Sequence, residues 1–164
     1  MIIFAHGLFG NPNGAKLQAL RDAGLTVEAP DGQKQVLQER IDTLERLVHK
    51  HAELRPVLGG SSYGGLAAAY VATRHPEKIR GLLLAAPAFS IAEDPVPHPE
   101  SLVIPIHVPT AVIHGRRDVI VPHSLSLDLK SRSGGHVAVE IVDDDHRLGL
   151  SLARLCELAR DLGA

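Results

Sequence analysis

Six short apolar bursts, at residues 1–5, 25–29, 55–59, 80–86, 109–114 and 136–142, recur along the whole chain and are closed by Gly, Pro or Asp punctuation. Between them lie stretches of helical period, at about 14–23, 34–52, 63–74, 122–132 and 147–162. Strands that alternate with helices are joined by right-handed crossovers, so this alternation predicts an α/β fold: a doubly wound sheet of about six parallel strands. Composition agrees, because hydrophobic residues make up 45% of the chain while aromatics are 3% with no Trp. A core of Leu, Val, Ile and Ala is what parallel strands buried on both faces use. A length of 164 residues suits one domain, 1–164, with most of its apolar surface buried. In the second helical stretch Val36, Leu37, Ile41, Leu44, Leu47 and Val48 share one face, and Glu, Arg and Lys take the other. One segment breaks the alternation: residues 87–108 hold five prolines and read as a loop excursion over one edge of the sheet. Its Val96, Leu102, Val103 and Ile104 form an apolar face that either roofs a site or meets another subunit, and the oligomeric state is left open.

Charge excludes several function classes. The formal net charge is -2, from 17 basic and 19 acidic residues that do not segregate, so neither nucleic acid nor an anionic membrane is expected as a partner. The N-terminal Met1-Ile2-Ile3-Phe4-Ala5 has no basic flank and no apolar run reaches spanning length, which points to a soluble, cytoplasmic protein. Cys156, the single cysteine, lies in a helical pattern and reads as a buried thiol of a reducing compartment, not a nucleophile.

The polar features fall just after strands, where open α/β sheets bind ligands. Gly60-Ser61-Ser62-Tyr63-Gly64 matches G-x-S-x-G between a predicted strand and a predicted helix. A serine lifted to the tip of a sheet sits in a strained turn, and Gly60 and Gly64 are the residues that clear space around it. The stretch is no flexible linker, since a good helix follows at once, and no phosphate cradle, since no Lys follows the glycines. A tight turn without chemistry is the plain alternative. Ser62 is centred between the two glycines, and Ser61 is its neighbour.

A serine hydroxyl needs a base to take its proton, and the base needs an orienting acid. Downstream, Asp118 follows the burst that ends His114-Gly115, and His146 alone among ten histidines stands between the last strand and the last helix. Asp143, Asp144 and Asp145 are rivals for the acid, although residues so close to His146 require a sharp turn to reach its far nitrogen. Asp118 also has a plain role as a turn or helix cap. His6 and His114, each in a His-Gly pair, read as imidazoles bonded to loop backbone, and no spacing supports a metal site. Two backbone N-H groups suit a developing oxyanion: Tyr63, which opens the helix after Ser62, and Leu8, in the loop after the first strand. Their side chains are then free to shape an acyl pocket.

With its His-Gly loop, its Gly-Ser-Ser-Tyr-Gly-Gly elbow, and the loops that hold Asp118 and His146 all in order, the chain resembles the α/β-hydrolase superfamily over essentially its whole length. Within it, the sequence is similar to small, lidless bacterial esterases and thioesterases. The resemblance implies Ser62 as nucleophile, Asp118 as acid, His146 as base, and Leu8 and Tyr63 as oxyanion residues. It further implies a minimal fold without the first two strands and without a cap, 87–108 taking the cap's place. The expected function is hydrolysis of a small-molecule ester or thioester through an acyl-enzyme, with no cofactor and no metal. Acyltransferases and peptidases use the same machinery, and a non-catalytic binding protein can share the fold. Arg116, Arg117 and Arg147 beside the catalytic loops would favour anionic substrates, or else are solvated.

Overall fold

Strand β1 (Ile2–Ala5) is buried at every position, as an Ile-Ile-Phe-Ala run must be when helices cover both faces of its sheet. The computed structural model describes all 164 residues. After β1 come α1 (Ala15–Asp22), β2 (Val27–Glu28), α2 (Leu37–Lys50), β3 (Val57–Ser61), α3 (Tyr63–Arg74) and β4 (Gly81–Ala85). The chain continues with β5 (Thr110–Gly115), α4 (Ser124–Ser133), β6 (Val137–Val142) and α5 (Leu152–Asp161). The six strands form one parallel sheet in the order β2-β1-β3-β4-β5-β6. From β1 the chain steps outward to β2 on one side and then crosses to β3 on the other. The order therefore reverses between β1 and β3, and the crevice beyond their carboxyl ends is where such sheets place a ligand.

Period-two alternation divides the apolar residues between two cores. Ile3 and Ala5 of β1 face the larger one with α2, α3 and Leu129 of α4. Ile2 and Phe4 face the other with α1 and α5. No helix is long and apolar enough to cross a membrane.

Helix α3 spans the predicted 63–74, and the other four helices begin later than predicted. The 147–162 stretch becomes helical only from Leu152, because residues 143–151 form the loop that carries His146. In α2, Leu37, Ile41, Leu44 and Val48 are buried as expected, but two residues change sides. Val36 precedes the helix and is exposed, its N-H donating to Glu39 Oε2 at 3.1 Å. Arg40, expected among the solvated charges, is buried. The excursion of residues 87–108 contains only a single 3₁₀ turn at Pro99–Ser101 and a bridge between Glu93 and Val96. Its apolar face turns inward. Val96 and Ile104 are core residues and only Val103 is largely exposed, because the Ile104 N-H donates to Ser133 Oγ and Arg132 Nε donates to the Leu102 carbonyl.

Candidate functional site

Ser62 links β3 to α3 with φ 54° and ψ -120°, a backbone conformation a residue with a Cβ adopts only under constraint. The constraint is visible. Its N-H donates to the Ala85 carbonyl at 2.9 Å and its own carbonyl accepts from Ala88 N at 3.0 Å, so the turn is locked to the residues around the end of β4. A Cβ on Gly60 would strike the Gly64 carbonyl, and one on Gly64 would strike the carbonyls of Ala5 and His6. The two glycines are thus the clearance that lets α3 leave so abruptly.

Three residues far apart in sequence meet there. His146 Nε2 lies 3.0 Å from Ser62 Oγ, and its Nδ1 lies 2.6 Å from Asp118 Oδ2. A carboxylate only accepts, so Nδ1 carries the proton and Nε2 is the lone pair facing the serine hydroxyl. The Asp118 side chain is 0% exposed. Its Oδ1 accepts the N-H groups of Ile120 at 2.9 Å and Val121 at 2.8 Å. Burial raises its pKa, but the hydrogen bonds from Val121, His146 and Ile120 outweigh that and hold it below the ordinary carboxylate value. The turn cap and the contact with His146 are made by different oxygens of the one Asp118 carboxylate.

The three rival acids have other partners. Asp143 pairs with Arg117 at 3.1 Å. Asp144 is buried, accepting Asp145 N and Leu150 N at 2.8 Å and the Ser151 hydroxyl at 2.9 Å, and so shapes the turn that presents His146. Asp145 accepts the N-H of Arg147 at 2.8 Å.

His114 bonds loop backbone as expected, at the Val121 carbonyl, and reaches two side chains besides. It is 0% exposed, with Nε2 3.1 Å from Asp118 Oδ2 and 3.0 Å from the Val121 carbonyl. Both are acceptors, so Nε2 carries the proton, and Nδ1 accepts the Ser126 hydroxyl at 2.8 Å. Burial lowers its pKa, keeping it neutral. Its spacing of four residues from Asp118, across the end of β5, was the available signal. His6 does bond loop backbone: Nδ1-H donates to the Gly7 carbonyl at 2.7 Å, and Nε2 accepts Gly32 N at 3.0 Å. No group of three His, Cys, Asp or Glu side chains has the geometry of a metal centre.

Two N-H groups stand beside Ser62. The first hydrogen bond of α3 runs from Leu66 N to the Ser62 carbonyl, so Tyr63 N-H has no acceptor within its helix. The loop after β1 presses on the elbow, a Cβ on Gly7 falling 3.4 Å from Ser62 Cβ, and the next residue, Leu8, has an N-H without a protein acceptor. The Tyr63 side chain does not shape a pocket. It is buried, its hydroxyl donates to Glu93 Oε2 at 2.8 Å, and burial together with that carboxylate pushes its pKa up to about 12. The loops that meet at Ser62 expose large apolar side chains: Phe9 is 97% exposed, Val119 95%, and Leu8, Ile120 and Leu150 are exposed as well. Arg116, Arg117 and Arg147 are exposed on the same loops.

Residues 23–106, just over half of the chain, match the family described as serine aminopeptidase, S33. No curated protein sequence matches. Among solved structures, a hydrolase of the α/β superfamily from Xanthomonas campestris pv. campestris is 27% identical over 98% of this chain and 96% of that one, with a TM-score of 0.79. A monoacylglycerol lipase from Paleococcus ferrophilus is 18% identical, covers 99% and 94% of the two chains and has a TM-score of 0.77. The mouse alpha/beta hydrolase domain-containing protein 10 is 22% identical, covers 98% and 88% and has a TM-score of 0.80. The last two likenesses are of fold.

Proposed function

The chain belongs to the serine aminopeptidase (S33) family of α/β hydrolases, and from that premise we propose that it cleaves carboxylic esters or thioesters through an acyl-enzyme. The observation that carries the reading is the unbroken row Ser62 Oγ, His146, Asp118, with separations of 3.0 and 2.6 Å. Ser62 Oγ attacks the substrate carbonyl while His146 Nε2 takes its proton, and Asp118 stabilises the imidazolium. The N-H groups of Tyr63 and Leu8 receive the oxyanion. Collapse expels the alcohol or thiol with the proton from His146, and water repeats the attack to release the acid. Every proton in this scheme is handled by these side chains and water, within one domain of residues 1–164.

The exposed Phe9, Val119 and Ile120 on the loops around Ser62 support an acyl group of hydrocarbon character over a strongly polar one. The family description carries a second reading, release of an N-terminal residue from a peptide by the same acyl transfer. A fluorophosphonate probe applied to wild type and Ser62→Ala tests the common core, with labelling expected in the first alone. Labelling that survives in Ser62→Ala refutes Ser62 as the nucleophile, and no labelling of either leaves a binding protein. A panel of p-nitrophenyl esters, acyl-CoAs and aminoacyl anilides then separates the two readings, with the esters and thioesters expected to turn over faster.

A further inference from the structure

Arg40 is 3% exposed, and its guanidinium is met by carbonyl oxygens in place of a carboxylate. Nη1 donates to the His6 carbonyl at 2.7 Å, Nη2 to the Gly32 carbonyl at 2.6 Å, and Nε reaches toward the Gln35 carbonyl at 3.5 Å. Its flat face lies over the Tyr63 ring, 5.0 Å from the centroid. An apolar side chain would fill this space without burying a charge; what a guanidinium alone supplies is a planar fork of donors with a stacking face. The segments it joins are the ones that matter to the proposed reaction. His6 stands two residues before Leu8, and Tyr63 is the residue after Ser62. The loop after β1 therefore hangs from the fork of Arg40, and the elbow rests on its face. The same corner is closed from the other side: Tyr63 Oη donates to Glu93, whose second oxygen accepts Leu37 N at 3.1 Å in the first turn of α2. His6 reinforces it through its bonds to Gly7 and Gly32.

We propose that Arg40 is a positioning residue that sets the separation of the two oxyanion donors, Leu8 N-H and Tyr63 N-H, while touching no substrate itself. The inference rests on the hydrolase reading and deepens it. Oxyanion donors act only when aimed at the oxygen of the tetrahedral state, so a small change in their spacing lowers kcat and leaves ground-state binding alone.

The test compares Arg40→Met, Arg40→Lys and Val48→Ala in hydrolysis of a p-nitrophenyl ester. Val48 is a buried residue on the same helix with no part in the loop, so its truncation lowers stability alone. For Arg40→Met, kcat is expected to fall about 10²-fold, the scale of one lost oxyanion donor. KM stays within about threefold, the mark of an interaction made only in the transition state. Affinity for a boronic acid that forms a tetrahedral adduct on Ser62 falls by the same factor as kcat. The acid limb of the pH profile keeps its midpoint, because the Ser62, His146 and Asp118 row is untouched. Arg40→Lys, which keeps a donor but loses the fork, falls between wild type and Arg40→Met. Val48→Ala lowers the urea midpoint and leaves kcat unchanged. A folded Arg40→Met with wild-type kcat overturns the inference and leaves the hydrolase reading standing. If Arg40→Met fails to fold, wild-type kcat in Arg40→Lys has the same force. A wild type with no Ser62-dependent turnover removes the hydrolase reading and this inference together.

Discussion

Asp118→Asn is the substitution whose consequence the geometry fixes most tightly. The carboxylate accepts four hydrogen bonds, two on Oδ1 from Ile120 and Val121 and two on Oδ2 from His146 and His114. An amide of the same shape has one acceptor oxygen and one donor group. If its oxygen keeps the turn, its NH₂ faces the N-H groups of both imidazoles. His146 must then adopt the tautomer with the proton on Nε2, which cannot accept the Ser62 proton. If the oxygen turns to the histidines, the NH₂ faces two backbone N-H groups inside the protein. With the oxygen on the turn, His146 Nδ1 becomes an acceptor and His114 Nε2-H keeps only the Val121 carbonyl; with the oxygen on the histidines, the part-buried Val121 N-H loses its acceptor, so stability should fall by about 1–3 kcal/mol. The wrong tautomer costs about 10⁴ in kcat in enzymes that use such a row. The assays are ester hydrolysis at saturating substrate and urea unfolding of the same preparation. Because the second orientation keeps the productive tautomer, Asp118→Ala is assayed beside it; if both variants fold and retain more than about a tenth of wild-type kcat, another group orients His146 and the assignment of the acid falls.

Asp144→Asn should show the opposite balance: one of the three hydrogen bonds to the turn before α5 is lost in either amide orientation, costing about 1–3 kcal/mol in urea unfolding, while kcat of the folded protein stays within about tenfold. Gly64→Ala drives a Cβ into the backbone of β1, which cannot yield, and should cost more than about 3 kcal/mol; a soluble variant with the wild-type urea midpoint would refute the clearance argument. Acidification should destabilise the fold in two steps. His114 titrates below its ordinary value because it is buried; in Asp118 and Asp144 burial acts upward, but hydrogen bonding prevails and both also titrate low. In all three the unfolded chain holds its proton more tightly, so their stabilisation is complete above the unfolded pKa and lost as pH falls through the folded one. The urea midpoint should start to fall below about pH 6.5 and steepen below about pH 4, the first step vanishing in His114→Gln. A midpoint that rises on acidification would reverse the sign and refute the account.

Much of this site was legible because sterics leave marks in residue type. Gly60 and Gly64 flank Ser62 at the spacing the collision with neighbouring carbonyls demands, and period and punctuation located the strand ends. The loops that hold Asp118 and His146 follow from those ends. Arg40 was illegible for the complementary reason. Helical period marks where apolar residues face, and a charged residue on α2 is solvated unless something distant satisfies it. Here the partner is the carbonyl of His6, 34 residues away. β2 kept only Val27–Glu28 of its apolar burst, the two residues that pair with Ile2 and Ile3 of β1. The inward turn of Val96 and Ile104 likewise depends on bonds from the excursion to α4, which leave no local trace.

Two histidines share one oxygen of Asp118, and burial disfavours a charge on one of them, His114. His114 has no exposure, and both of its nitrogens are committed: Nε2-H to Asp118 and Val121, Nδ1 to the Ser126 hydroxyl. Protonating it would put a cation into the core and set a second donor against Ser126, which would have to turn its own proton away. His146 retains 17% exposure, and its free lone pair points at Ser62. A proton leaving Ser62 therefore has one acceptor, and the negative charge of Asp118 is spent on that imidazolium alone. His114 contributes a fixed dipole: it helps hold Asp118 Oδ2 in place and cannot compete for the proton. Ser126→Ala supplies the check, since losing the hydroxyl frees Nδ1 of His114 to accept a proton. The folded pKa of His114 should then move up toward its unfolded value, so the loss of stability on acidification below about pH 6.5 should be smaller than in wild type, and an unchanged loss would show that Ser126 does not keep His114 neutral.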